Sequence, residues 1–137
     1  MTAEPDKVTV RGVLVKLLFH RREERGMALI PEQSRCIRAG EVHELVTTDH
    51  SGLRPGDRVD RVGFLGFAEI GNAGVVEAGD RFLARGREIG VVAGFDACHF
   101  PNHYNILIET QETLTAAALG LAVGGEVSFV PPAGGTR

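Results

Sequence analysis

AGDRFLARGREIGVVAGFDACHFPNHYNILIE, residues 78–109, is the stretch that decides the fold class of this chain. It opens on glycine followed by an acid, which makes a tight turn: the glycine reaches positive φ, and the carboxylate bonds the turn's own amides. After the turn the side chains alternate, so Phe82 and Ala84 fall on one face of an extended segment. GREIGVVAGF (86–95) and HYNILIE (103–109) read as two further strands. Between them lies CHFPNHYN, residues 98–105, with two histidines, two asparagines, a tyrosine and a cysteine around Pro101.

The same glycine–acid–x–apolar pattern recurs outward as AGEVHEL (39–45), PGDRVDRV (55–62) and GGEVSFV (124–130). Four such entries from turn into strand predict an all-β fold, a small antiparallel β-barrel in a single domain with its core over residues 7–131. KVTVRGVLVKLLFH (7–20) supplies the first strand, RREERG (21–26) a charged turn, and MALI (27–30) the start of the returning strand. The glycines of GFLGFAEIGNAGVV (63–76) predict bends or bulges in the barrel wall. One helix candidate remains, TQETLTAAALGLA (110–122), with Thr110 as its cap; PPAGGTR (131–137) reads as an exposed tail.

Composition narrows the function. A chain of 137 residues, 43% hydrophobic and 24% charged, forms one domain with a buried core. A net charge of −3, with few aromatics and none interleaved with basic residues, argues against nucleic acid as a partner. No apolar run approaches the ~20 residues of a membrane span, and the polar start MTAEPDK is unlike a signal peptide. Cys36 and Cys98 make no disulfide framework, so the expectation is a cytoplasmic protein with free thiols. A homodimer is compatible with all of this. GFLGFAEIG lacks the lysine of a phosphate-binding loop, and FDACHF lacks a second cysteine pair, so no cofactor is expected.

The chemistry is concentrated around Pro101. A tight connection with Pro101-Asn102 at its centre sets His99 and His103 on either side, with Asp96 three residues before His99. Three chemistries are open. His99 or His103 acts as a general acid/base oriented by Asp96, one imidazole cationic beside it and the other neutral. Alternatively, the two histidines and a carboxylate bind a transition metal, although Pro101 breaks the helix on which an HxxxH pair usually ligates. Third, Cys98 is a nucleophile, but side chains adjacent on a strand point to opposite faces. Against all three stands a plain polar turn. The leading expectation is a metal-independent enzyme: His99, His103 and Asp96 catalytic, and Asn102, Asn105, Tyr104, Cys98, His43 and His50 placed to bind a small organic substrate. Hydrolysis, elimination, isomerisation or cyclisation would suit such residues.

The run from AGDRF through GFDACHFPNHYNILIE, followed by GLAVGGEVSFV, resembles a small uncharacterised bacterial family with a GFD-x-x-H-x-PNH-x-NI motif. Its association with biosynthetic gene clusters implies a tailoring enzyme of specialised metabolism. Residues 54–131 are also similar in layout to the glucitol/sorbitol-specific IIA component of the phosphotransferase system. That similarity implies a compact β-barrel. It also implies the alternative function, a non-catalytic sugar-binding or phosphocarrier-like module, with His43 or His50 as the histidine involved.

Overall fold

The four glycine–acid turns set where the chain changes direction. Gly40, Gly56, Gly79 and Gly124 all have positive φ. In three of them the acid accepts the backbone N–H three residues before it: Glu41 from Arg38, Asp57 from Arg54 and Asp80 from Glu77. A computed structural model describes residues 5–132. Along it lie β1 (Val10–Leu17), β2 (Arg21–Arg22), β3 (Met27–Ala28), β4 (Ser34–Ile37), β5 (Val42–Thr48), β6 (Arg58–Val59), β7 (Val62–Ile70), β8 (Gly74–Glu77), β9 (Arg81–Ala84), β10 (Arg87–Asp96), β11 (Asn105–Glu109), α1 (Ala116–Leu119) and β12 (Glu126–Val130). Among the described residues no helix is long and apolar enough to cross a membrane.

Seven strands close into a barrel-like ring in the order β1-β12-β9-β10-β11-β5-β7, with β7 returning to β1. All these pairings are antiparallel except β5 with β11, which run parallel. The expectation of a wholly antiparallel barrel is corrected at that one seam. Parallel neighbours need a long crossover rather than a hairpin, and here the crossover is the whole of β6 to β10.

Every strand of the ring sends apolar side chains inward. The interior core includes Val10 and Leu14, Val127 and Phe129, Phe82 and Ala84, Val92 and Phe95, Ile106 and Ile108, Leu45, and Leu65 with Ala68 and Ile70. A second core lies on the outer face of the wall. Val46, Phe64, Val62 and Leu107 pack there against Met27, Leu29 and Val59, which belong to a small β3–β6 layer. Part of the wall is therefore apolar on both faces, and the run ELV (44–46) is buried throughout.

The charged stretch RREERG is only partly a turn, since Arg21 and Arg22 pair with β7. MALI contributes only Met27–Ala28 as strand, and a further pairing of β4 with β8 escaped the sequence reading. The helix expected over 110–122 shrinks to Ala116–Leu119, and its cap is Thr115, whose hydroxyl accepts from the Ala118 amide at 3.4 Å. Thr110 lies six residues before the helix starts; its backbone N–H donates to Thr48 and prolongs the β5–β11 ladder, and its hydroxyl donates to the Thr48 and Glu112 carbonyls. Leu114 is similarly held, its amide donating to the Thr47 hydroxyl at 2.8 Å. Of the predicted tail, Pro131 and Pro132 are described, Pro131 being buried; residues 133–137 lie outside the described residues.

The glycines of β7 do what bulge glycines do. Gly66 has φ +136°, beside a register shift against β5, and a Cβ there would run into the Lys16 carbonyl oxygen of β1. Gly66→Ala should therefore cost about 3 kcal/mol, combining a forbidden backbone region with a backbone clash. Urea unfolding is the measurement, with a loss below about 1 kcal/mol as the contrary result.

Candidate functional site

One row of registered residues crosses four strands of the wall: Phe67 on β7, Glu44 on β5, Asn105 on β11 and Asp96 on β10. Registered partners share a face of the sheet. Val46 and Leu107 lie two residues along β5 and β11 from Glu44 and Asn105, so this row is on the outer face. His103, two residues before Asn105, lies just before β11 starts and joins the same row. His43 and Tyr104 have the opposite parity. The predicted substrate-binding set is thereby divided between two sides of one wall.

The connection after β10 brings the histidines together. The His99 carbonyl accepts from the amides of Asn102 at 2.8 Å and His103 at 3.3 Å. The Phe100–Pro101 peptide is cis, so Pro101 occupies the third position of the turn rather than the second, as the sequence had suggested. The two imidazole rings lie 5.0 Å apart between centroids. His99 is exposed and His103 is buried, with Phe67 meeting the His103 ring edge-on at 5.1 Å.

His103 is held at both nitrogens. Nε2 faces Glu44 Oε1 at 3.2 Å, and Nδ1 faces Asn102 Nδ2 at 2.9 Å. Glu44 is 6% exposed and His103 8%. Glu44 was not among the residues singled out in the sequence. In AGEVHELV the alternation cannot tell inside from outside, and Glu44 becomes a site residue only through the parallel pairing with β11.

Asp96, expected to orient a histidine, bonds neither. Its Oδ2 accepts the Ala28 amide at 2.9 Å, and its Oδ1 accepts the Cys98 amide and Asn105 Nδ2, each at 3.0 Å. Burial raises its pKa, but the bonds from Cys98, Ala28 and Asn105 outweigh burial and hold it below the ordinary aspartate range. Cys98 moves the other way. Cys98 is exposed at the surface, but partial desolvation of its thiol and the neighbouring Asp96 push it up, and Arg25, 3.4 Å from Sγ, offsets this only in part. A thiol kept protonated is a poor nucleophile, so the geometry does not favour cysteine chemistry.

Asn105 is fully buried. Its Nδ2 serves Asp96 and, at 3.4 Å, Cys98 Sγ, while its Oδ1 has no partner among the described residues. The amide is planar, so that oxygen diverges from Nδ2 by about 120° and turns away from Asp96. A buried acceptor left unpaired marks a place where a proton donor or a cation belongs.

On the inner side, His43 accepts the Tyr104 amide at Nδ1 and meets Glu41 at Nε2, 2.7 Å away, which fixes its tautomer. Tyr104 carries Arg35 over its ring at 3.7 Å. This group braces the base of the turn. His50 lies beyond the far end of β5, where Thr48 pairs with Glu109, and its Nε2 accepts the Arg61 amide at 3.4 Å. It belongs to a different end of the wall.

Three ligand atoms, one each from Glu44, His99 and His103, lie within 4.8 Å of one another. They come from two separate segments and from donor types that bind divalent transition ions. Arg25, from the turn between β2 and β3, completes the rim with Nη2 3.3 Å from His99 Nε2.

This chain belongs to DUF6917, a family of unknown function whose model matches residues 4–130. No curated protein and no solved structure matches it.

The Asp96 bonds give a pH signature. A carboxylate whose pKa is lowered by folding stabilises the fold fully above the unfolded-state value of ~3.9 and loses that contribution as pH falls through the lower folded value. Asp96→Asn should cost about 1–3 kcal/mol at neutral pH, since one oxygen can no longer accept, and the deficit should narrow as the pH drops below ~3.9. Urea denaturation of both proteins across that range checks it. A deficit independent of pH would mean the charge on Asp96 contributes nothing.

Proposed function

We propose that the row around the 98–105 turn is the catalytic centre of an enzyme acting on a small organic substrate, and that Glu44, His99 and His103 hold a divalent transition ion there. The observation that carries this is the convergence of the three ligand atoms within 4.8 Å. Bonds of ~2.1 Å in a tetrahedral site put ligand atoms about 3.4 Å apart; Glu44 and His103 already stand 3.2 Å apart, so a movement of at most about 1.4 Å by the exposed His99 closes the set. Three protein ligands leave a position open, where the ion would activate a water for hydrolysis or polarise a substrate oxygen for elimination or isomerisation.

Two features of the surroundings support the ion. The oxygen and nitrogen of Asn102 exchange places if its amide turns over; Oδ1 then accepts from His103 Nδ1–H, the usual outer partner of a ligating histidine, and Nε2 is free to bind. Asn105 Oδ1, the unpaired buried acceptor, suits a donor such as a metal-bound water and not a substrate oxyanion. Asn105 therefore has a role different from the one expected of it.

The metal-independent reading keeps one specific support. Glu44 and His103 already form a buried pair at 3.2 Å, so Glu44 can orient the imidazole as Asp96 was expected to do. In that form His103 moves the proton and the tailoring chemistry proceeds without an ion. The carrier reading has less behind it: a phosphocarrier histidine needs a free ring nitrogen, and both of His43 are engaged, while His50 Nε2 faces the Arg61 amide.

Protein purified without chelator should carry about one equivalent of a transition metal by elemental analysis, and Glu44→Gln or His103→Ala should weaken Co²⁺ binding by about 100-fold or more. Metal content under about a tenth of an equivalent, with no Co²⁺ binding, discards the ion and leaves the Glu44–His103 pair as the acid/base centre.

A further inference from the structure

We infer that the substrate presents an oxyanion, a carboxylate or phosphate group, to Arg25 at the rim of the Glu44–His99–His103 centre. This rests on the preceding proposal for that site and names the chemistry of what enters it.

Arg25 is the half-buried residue of a charged turn whose other members, Arg21 to Glu24, are exposed. It is anchored there. Its backbone amide donates to the Asp60 carbonyl at 3.0 Å, and the next amide, of Gly26, donates to the Asp60 side chain at 3.0 Å. The side chain then reaches across to the 98–105 turn, where Nη2 lies 3.3 Å from His99 Nε2 and 3.4 Å from Cys98 Sγ; the contact with His99 is given up when the lone pair of that imidazole turns to the ion.

What Arg25 lacks is an anion. Arg58 pairs with Asp60 and Arg61 with Asp49, each at 2.9 Å; Arg21 and Arg22 also have no carboxylate partner among the described residues, but they are exposed to solvent while Arg25 is half-buried. Among the described residues no carboxylate lies within ion-pair distance of Arg25. Glu44 is turned to His103, and Asp96 is consumed by the Ala28 and Cys98 amides and Asn105. Nε and Nη1 of the guanidinium have no partner among the described residues, so a face of the fork is left for a ligand.

A divalent ion at the centre sharpens this requirement. Its two positive charges and that of Arg25 face the single charge of Glu44, which leaves an excess of about two and a repulsion that an entering anion removes. An oxyanion bridging the ion and the guanidinium satisfies both, and Arg is the side chain best shaped to take carboxylate or phosphate. The reacting part of the substrate is then held over the open coordination position.

The test uses the full chain loaded with Co²⁺, whose visible spectrum reports its ligands, titrated separately with acetate and with inorganic phosphate. We expect one or both to perturb the spectrum saturably, and the stronger of the two assigns the substrate group. Arg25→Gln should weaken that anion by about tenfold or more while Co²⁺ binds as tightly as before or more tightly. Cobalt binding with no anion response, or an anion affinity unchanged in Arg25→Gln, overturns the inference and leaves the metal centre standing. If the wild-type chain takes no Co²⁺, the metal centre fails on its own. The inference is then decided by NMR on the ion-free protein: anion-dependent shifts at His99 that vanish in Arg25→Gln uphold it, and their absence ends it.

Discussion

The carboxylate of Asp96 holds three pieces of chain at one point. Ala28 belongs to the outer layer, Cys98 to the turn, and Asn105 to the next strand of the wall, and each gives it a hydrogen bond of 2.9–3.0 Å. Without that acceptor, the buried amide of Asn105 would lose its partner, and the half-buried amides of Ala28 and Cys98 would need another. The turn that carries His99 and His103 is thus pinned at its root, and the outer layer that brings Arg25 is pinned to the same atom pair. An acid that reads in sequence as a catalytic partner is here the fixed point that gives the other groups their positions.

The second constraint is the parallel seam between β5 and β11. Five consecutive residues pair there, Asn105 with Glu44 through Glu109 with Thr48. The seam buries Ile106 and Ile108 on the inner side and Leu107 on the outer. It also sets Glu44 one strand away from Asn105 and beneath His103. A shift of one residue in this register would turn Glu44 into the barrel interior and leave His103 without its carboxylate.

Much of the fold was legible in the sequence because its signals are local. The glycine–acid turns, the alternating strands that follow them and the glycine-rich bends of β7 are all encoded within a few residues of where they act. The turn around Pro101 was recognisable for the same reason. The placement of Glu44 and Arg25 and the bond from Ala28 to Asp96 were not, because each depends on a partner more than fifty residues away. Arg25 in particular sat inside RREERG, where a run of charges reads as a solvated loop, and only the packing of the β3–β6 layer on the outer wall carries it to His99. The helix was overread because the alanines of 116–118 have high propensity, while Thr110 and Leu114 were already engaged by β5.

The division of the wall by parity has an evolutionary corollary. The inner positions of β5, β10 and β11 fill the barrel with Leu45, Phe95 and Ile106, while the outer positions beside them carry Glu44, Asp96 and Asn105. Interior packing and the polar row therefore alternate along these strands, and Val46 and Leu107 return the outer face to apolar packing two residues further on. Exchanging Glu44, His103 or Arg25 for other polar side chains would leave the packing of the interior untouched, so the polar row is free to vary while the barrel stays the same, provided Asp96 is kept.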